Sequence, residues 1–172
     1  MNLTHRIAPA FMLVTFLAVP STQAEVTVPA IVGDGMVLQR ESDAPIWGWA
    51  AAEEAVTVQG SWSEHPVRVV ADPRGRWTAR IPTPAAGGPY TLTITGATNT
   101  IKCDDVLVGE VWLCSGQSNM EWPLTKTRNA ADEIAAADHP RIRLFTVPNK
   151  TSAMPRVDSG GAWAMARSTS SA

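Results

Sequence analysis

The sequence predicts a mixed β and α/β fold, with a β-sandwich over residues 25–104 followed by the first βαβ unit of an α/β domain over residues 105–172. Two observations support this division. The first region consists of short runs that alternate in polarity or are rich in β-branched residues, without a helical period. The second region contains an apolar run, an alanine-rich segment and another apolar run, the order expected of a strand, a helix and a strand.

The N-terminus, residues 1–24, has the pattern of a secretory signal peptide. A basic start at His5 and Arg6 precedes a mostly apolar run at residues 7–19, and small residues follow at Thr22 and Ala24. We therefore predict cleavage after Ala24 and export to the periplasm or the extracellular space. The alternative is a membrane anchor, which is less favoured because a spanning helix needs about 20 apolar residues.

The charge of the chain argues against two classes of partner. The formal net charge is -2, and the lysines and arginines do not cluster. Neither nucleic acid nor an anionic membrane surface is therefore predicted to bind. After residue 24 no stretch is apolar enough to span a membrane, so we expect a soluble mature protein.

Residues 25–104 contain seven short predicted strands. Turn residues separate them, as at residues 72–75 (Asp-Pro-Arg-Gly) and 84–89 (Pro-Ala-Ala-Gly-Gly-Pro). Many short strands at this spacing are typical of a β-sandwich. The predicted strands are residues 26–28, 36–39, 46–49, 55–59, 67–70, 77–81 and 90–95.

Four tryptophans in this region have two interpretations: they form a platform on which sugars stack, or they pack in the core of the sandwich. Aromatic residues on short strands more often belong to the core, so we favour that interpretation. The four residues are Trp47, Trp49, Trp62 and Trp77.

The second region is predicted to contain one βαβ unit. The run at residues 106–114 is apolar enough for a strand that is covered on both faces. Residues 129–137 predict a helix, with Asn129 as its N-cap and alanines that favour helix, and residues 141–147 predict the next strand. A crossover of this kind implies a parallel sheet. One such unit leaves its sheet uncovered, so we expect the chain to contain only part of the α/β domain.

Cys103 and Cys114 flank one predicted strand. They can pair only if the chain doubles back between them, which makes a disulfide the less favoured alternative. Two buried free thiols are the expected state.

Ser118 is a candidate nucleophile. It follows the apolar run of residues 106–114, and ligands of open α/β sheets bind at the ends of such strands. A serine needs a base and oxyanion donors before it can react, so a capping or turn role stays open on this reasoning alone. The motif at residues 116–120 lacks the second glycine of Gly-x-Ser-x-Gly, which disfavours an α/β-hydrolase elbow. Ser115 is a weaker candidate because it lies closer to the strand.

The sequence GEVWLCSGQSNMEW at residues 109–122 resembles a motif of the sialate O-acetylesterase family, carbohydrate esterases of the SGNH hydrolase group. GMVLQR at residues 35–40 and IWGWA at residues 46–50 resemble the opening of the β-domain that precedes the catalytic domain in that family. Residues 87–92 and 105–109 are similar to later family segments, in the same order. The resemblance covers nearly all of the mature chain.

The resemblance implies an SGNH-type three-layer α/β/α domain that removes an O-acetyl ester from a sugar, sialic acid being the namesake. Ser118 would attack the acetyl carbonyl, and its own N–H would donate to the oxyanion. In the family, later segments supply a glycine, an asparagine and a histidine base that an aspartate three residues earlier usually orients. No metal or organic cofactor is implied.

The histidines depart from this pattern. His5 lies in the predicted signal peptide, His65 in the β-region, and His139 beside a proline at the start of a predicted strand, where a turn role is favoured. We therefore expect these 172 residues to be an N-terminal piece of an esterase that is inactive alone. The alternative is a non-catalytic, carbohydrate-binding β-sandwich module, although a β-region that only braces the hydrolase domain is preferred.

Overall fold

The computed structural model describes residues 24–167. The predicted signal peptide lies outside the described residues except for Ala24. Among the described residues, no helix has both the length and the apolar character that crossing a membrane requires.

The described chain is rich in strands and contains little helix. The strands are β1 (Val37–Gln39), β2 (Asp43–Trp49), β3 (Ala55–Gly60), β4 (Val67–Val70), β5 (Arg76–Pro82), β6 (Gly87–Thr95), β7 (Thr100–Gly109), β8 (His139–Phe145) and β9 (Trp163–Ala166). The helical elements are α1 (Ala130–Ala136) and two 3₁₀ turns, Ser118–Glu121 and Leu124–Lys126.

Strands β1–β7 form two sheets that share one core. Five strands form the larger sheet in the order β1-β7-β6-β3-β4, and β2 pairs with β5 in a smaller antiparallel sheet. Both strands of the smaller sheet alternate buried and more exposed residues, as expected when only one face is covered. The buried residues of both sheets belong to one cluster, which includes Ile46, Val56, Val58, Trp77, Ile81, Leu92, Ile94 and Val106.

The structure contains six of the seven strands that we predicted within residues 25–104. The exception is residues 26–28, where only Thr27 pairs, in an isolated antiparallel bridge with Trp49. The prediction of a strand-rich first region is therefore confirmed.

The predicted βαβ unit is absent from the described residues. Only residues 106–109 of the predicted strand at 106–114 belong to β7, and the following residues have no regular structure before Ser118. β8 pairs with β9 in an antiparallel hairpin instead of joining β7. The reason is that the end of β7 is already flanked on both sides: residues 107–109 pair with β1, and β6 pairs along the other edge, so β8 cannot join β7 there.

The predicted helix is present as α1, with Asn129 at the N-cap position. Its capping differs from our expectation, because Asn129 is in the left-handed conformation (φ 58°, ψ 32°) and its side chain makes no capping hydrogen bond. The Asn129 carbonyl instead accepts hydrogen bonds from the N–H groups of Asp132 and Glu133 at 3.1 Å each.

Two contacts hold the β8–β9 hairpin against the first region. The guanidinium of Arg143 donates to Asp105 Oδ2 at 2.8 Å, and the Arg143 side chain is only 4% exposed. Trp163 Nε1 donates to the carbonyl of Ile31 at 2.8 Å, and its ring packs 5.2 Å from that of Phe145. The segment from β7 to β8 is therefore anchored at both of its ends.

Candidate active site

Ser118 lies in an exposed segment that follows β7, residues 110–122. Gln117 has an extended backbone (φ -89°, ψ -173°), and Ser118 then begins the 3₁₀ turn. The N–H of Met120 donates to the Gln117 carbonyl at 2.9 Å and closes this turn. The local backbone thus changes direction at the candidate nucleophile.

The Ser118 hydroxyl makes no hydrogen bond with any residue that the structure describes. The backbone N–H groups of Ser118 and Asn119 also have no acceptor within residues 24–167. The hydroxyl could act as the attacking group and the unused N–H groups as oxyanion donors, but the base that activation of a serine requires is not among these groups. Ser115 is exposed too, but it lies in irregular chain outside the turn.

Residues at the end of β1 hold the start of this segment. Gln39 Nε2 donates to Glu110 Oε2 at 3.0 Å, and Arg40 Nε donates to Glu110 Oε1 at 2.7 Å. The Gln39 side-chain oxygen accepts the N–H of Val111 at 2.9 Å. β1 runs parallel to β7 with Gln39 opposite Gly109, so the residues that follow the two strands meet.

These contacts also shift the pKa values of the two charged residues in the Glu110 cluster, which consists of Gln39, Arg40 and Glu110. Hydrogen bonds from Gln39 and then Arg40 lower the pKa of Glu110, and a hydrogen bond to Glu110 raises the pKa of Arg40. The Arg40 and Glu110 side chains are 42% and 51% exposed, so solvent screens their attraction. The main consequence is geometric, because the cluster fixes the direction in which the chain leaves β7.

The far side of the 3₁₀ turn makes a few further contacts. Asn149 Nδ2 donates to Glu121 Oε1, which links the turn to the chain beyond β8. Trp122 Nε1 donates to the Lys126 carbonyl at 3.3 Å, and the Lys126 ammonium lies 5.8 Å from the centre of the Trp122 ring. Ser118 therefore lies between two places where the segment is held by hydrogen bonds, the Glu110 end and the Glu121–Trp122 end.

Within residues 24–167, Ser118 is not brought together with a histidine base. His65 lies in the exposed connection between β3 and β4, where its backbone N–H bonds to Ser63 Oγ at 3.3 Å. His139 is the exposed first residue of β8, opposite Ala166. Neither imidazole bonds to Ser118 or to a carboxylate within the described part of the chain.

Both cysteines are free, so the alternative of a disulfide between them is wrong. Cys103 is buried as expected, and burial, with smaller contributions from Asp34 and Asp104, raises the pKa of its thiol to about 11. Cys114 is exposed, contrary to the prediction of two buried thiols, because the strand predicted to contain it ends at Gly109.

The preferred core interpretation of the tryptophans holds for Trp77, which is buried, and for Trp62, which packs against the core and against the ring of Tyr90. It is wrong for Trp47 and Trp49, which are half-buried and do not belong to the core cluster. Alternation along β2 explains the difference, because the neighbouring residues of these two tryptophans face inward.

Sequence reasoning missed the Glu110 cluster. Its members lie in residues 35–40 and 109–122, two of the segments that carry the family resemblance. The sequence signal that could have indicated the cluster is the position of these three polar residues directly at or after the ends of two apolar strands. Their pairing depends on the parallel register of β1 and β7, which the sequence pattern did not predict.

Comparison with known proteins finds acetylesterases in both sequence and structure. The sialate O-acetylesterase of Rattus norvegicus is 38% identical over 122 residues, which is 65% of this chain and 22% of that protein. The sialate O-acetylesterase of Homo sapiens is 33% identical over 126 residues, which is 67% of this chain and 24% of that protein. No family model matches the chain.

A crystal structure of a carbohydrate acetylesterase from Xanthomonas citri is similar to this chain with a TM-score of 0.80 and 39% sequence identity. The similarity covers 86% of this chain and 34% of that one. The chain therefore spans about a quarter of the length of its curated relatives and a third of this structural neighbour. The resemblance to sialate O-acetylesterases predicted from sequence is confirmed.

Proposed function

We propose that this chain is the nucleophile-bearing part of an exported carbohydrate O-acetylesterase. The observation that carries the proposal is the exposed, unbonded hydroxyl of Ser118, at a backbone turn in a chain similar to sialate and carbohydrate acetylesterases. The substrate would be an O-acetylated sugar or glycan.

In the proposed reaction, Ser118 Oγ attacks the acetyl carbonyl while a base takes the hydroxyl proton. The N–H of Ser118 donates to the oxyanion of the tetrahedral intermediate. The intermediate collapses to an acetyl-serine ester, and the sugar leaves as an alcohol with the proton from the base. Water then attacks the acetyl-enzyme, which releases acetate and restores the serine.

The proposed architecture follows the same assignment. Residues 25–104 would form a β-sandwich that braces the hydrolase domain, and residues 105–172 would begin an SGNH-type three-layer α/β/α domain. The two sheets that share one core support the first part. The exposed apolar residues 111–113 support the second part, because their composition is that of a strand whose two faces are covered by other elements.

The 172 residues alone should have no serine-dependent esterase activity, since neither His65 nor His139 bonds to Ser118. Loss of one member of a catalytic triad typically costs several orders of magnitude in rate. Activity of the chain alone that disappears in Ser118→Ala would contradict this part of the proposal.

The esterase assignment is tested on the product of the complete reading frame that encodes this chain. Hydrolysis of an O-acetylated sialic acid, followed as acetate release, should fall by about 10³-fold or more in Ser118→Ala. The matched variant Ser115→Ala should keep most of the activity. Equal loss in both variants, or activity retained without Ser118, would mean that the assigned nucleophile is wrong.

A further inference from the structure

The outer face of the β2–β5 sheet carries a pair of tryptophans. Trp47 and Trp49 alternate along β2 with buried residues, so both indoles are on the face away from the core. Across the sheet, Trp47 is opposite Thr78 and Trp49 is opposite Arg76. Residues opposite each other in an antiparallel pair share a face, so two indoles, a hydroxyl and a guanidinium adjoin there.

These side chains line an open cavity of about 270 Å³. Its wall combines aromatic and polar groups, which distinguishes it from a purely apolar groove. This volume is just below the roughly 300–1,000 Å³ typical of small-molecule sites. Side chains of the wall include Trp47, Trp49, Asp72, Arg76, Thr78 and Val157.

An ion pair fixes the polar side of the cavity. Asp72 Oδ2 accepts Arg76 Nε at 3.0 Å and Nη2 at 2.9 Å, while Oδ1 accepts the N–H groups of Arg74 and Arg76 at 2.8 and 2.9 Å. Four hydrogen bonds use the ordinary accepting capacity of a carboxylate. Arg76 Nη1 and the Thr78 hydroxyl have no partner within residues 24–167, so both can bind a ligand.

We propose that this face is a non-catalytic sugar site. A pyranose ring lays its C–H face on the indoles of Trp47 and Trp49, and Arg76 and Thr78 bind its oxygens. The indole face is electron-rich and attracts the weakly positive C–H groups of a sugar. The few polar groups fix the orientation of the ring, as in other aromatic ligand pockets.

The location of Trp47 connects this sugar site with the candidate nucleophile. Trp47 also borders a second cavity, of about 250 Å³, whose lining includes Val111 of the exposed segment after β7. The Trp47 indole therefore borders both the sugar site and the cavity that Val111 lines, and this shared residue links the sugar site to the chain that leads to Ser118. Only this connection rests on the proposed esterase function, because sugar binding itself needs no catalysis.

The test is a ligand-observed NMR titration of the 172-residue chain. N-acetylneuraminic acid and xylotetraose serve as an acidic and a neutral probe, and we expect millimolar binding of at least one. Trp49→Ala should weaken binding about tenfold, as expected for loss of a central aromatic contact. Thr78→Val keeps the side-chain shape and should weaken binding about threefold by removing one hydrogen bond.

Arg80→Ala is the matched control, because Arg80 is on the same outer face but opposite Pro45, one step beyond Thr78. It should bind as the unmodified chain does. Failure of both probes to bind at millimolar concentration would overturn the proposal. Unchanged affinity in a folded Trp49→Ala chain, or in Thr78→Val if the tryptophan variant does not fold, would overturn it as well.

Ser118→Ala separates the two proposals. It should bind either probe normally, because the sugar site does not include Ser118. Loss of binding in this variant would mean that the sugar binds at Ser118, which would overturn the proposed sugar site. The esterase proposal would remain intact. Conversely, normal binding together with no esterase activity in the product of the complete reading frame would leave only the sugar site.

Discussion

Residues 106–108 and residues 111–113 are both apolar triplets of one sequence run, but their environments differ sharply. The first triplet is at most 6% exposed, whereas the second is 49–94% exposed. Pairing accounts for the difference: β1 and β6 flank the first triplet, and neither continues beside the second. An apolar run therefore forms a buried strand only where neighbouring strands satisfy its backbone and cover its side chains.

The largest expected effect comes from removing a leucine side chain, once from the buried core and once from the exposed segment after β7. Leu92→Ala empties a fully buried position of β6 and should lower the free energy of unfolding by about 2–5 kcal/mol. Leu113→Ala changes a residue that is 94% exposed and should shift it by less than about 0.5 kcal/mol. Urea denaturation of the 172-residue chain compares them. Equal losses would mean that the second segment is packed in solution.

A pair of glycines gives a smaller contrast. An alanine Cβ at Gly48 would lie 2.0 Å from the Thr27 carbonyl oxygen, which is backbone and cannot move aside freely. Gly48→Ala should therefore destabilise the chain by about 1–3 kcal/mol or more. At Gly116 the nearest atom, at 2.8 Å, belongs to the flexible Met120 side chain, so Gly116→Ala should have little effect. Thermal unfolding midpoints measure both, and a larger loss at Gly116 would contradict the packing described here.

The smallest effect concerns the boundary between the two regions. The pKa of Glu110 is lowered in the folded chain, so its interactions stabilise the fold above the unfolded glutamate pKa of about 4.3 and are lost as the pH falls through the lower folded value. Glu110→Gln should cause a slight loss of stability at pH 7. The difference from the unmodified chain should shrink toward pH 3, as denaturation at the two pH values will measure.

Glu41→Gln is the control for the structural role of Glu110, with amide exchange as the measurement. Glu41 also pairs with Arg40, at 2.7 Å, but makes no hydrogen bond or ion pair with Gln39 or with the segment after β7 within the described residues. It should leave the amide exchange of Val111 unchanged, whereas Glu110→Gln should speed it, since Val111 N–H bonds to the Gln39 side chain that Glu110 holds. Equal exchange in the two variants would mean that the cluster does not fix the exit from β7.

The sequence pattern predicted the strands of the first region well because local alternation and turn residues report which face of a strand is buried. It failed at residues 110–114 because strand formation there depends on neighbours that are distant in sequence. The same limit applies to β8, whose pairing with β9 across residues 146–162 has no local signal. Trp47 and Trp49 were wrongly assigned to the core, although their alternation with the buried residues of β2 could have been recognised from the sequence.

For the candidate site, sequence was sufficient to select Ser118 but insufficient to describe its surroundings. The choice rested on the resemblance of residues 109–122 to a motif of the sialate O-acetylesterases, to which the chain is similar. The Glu110 cluster required the parallel register of β1 and β7. A catalytic base could not be assigned because neither described histidine approaches Ser118 through a hydrogen bond.

The central claim is that Ser118 is the nucleophile, and covalent labelling tests it most directly. A fluorophosphonate reacts with an activated serine by forming an O–P bond as fluoride leaves, and peptide mapping then identifies the residue. In the product of the complete reading frame, we expect the label on Ser118, with labelling lost in Ser118→Ala and kept in Ser115→Ala. A label on Ser115 or on another serine, with Ser118 unmodified, would contradict the assignment.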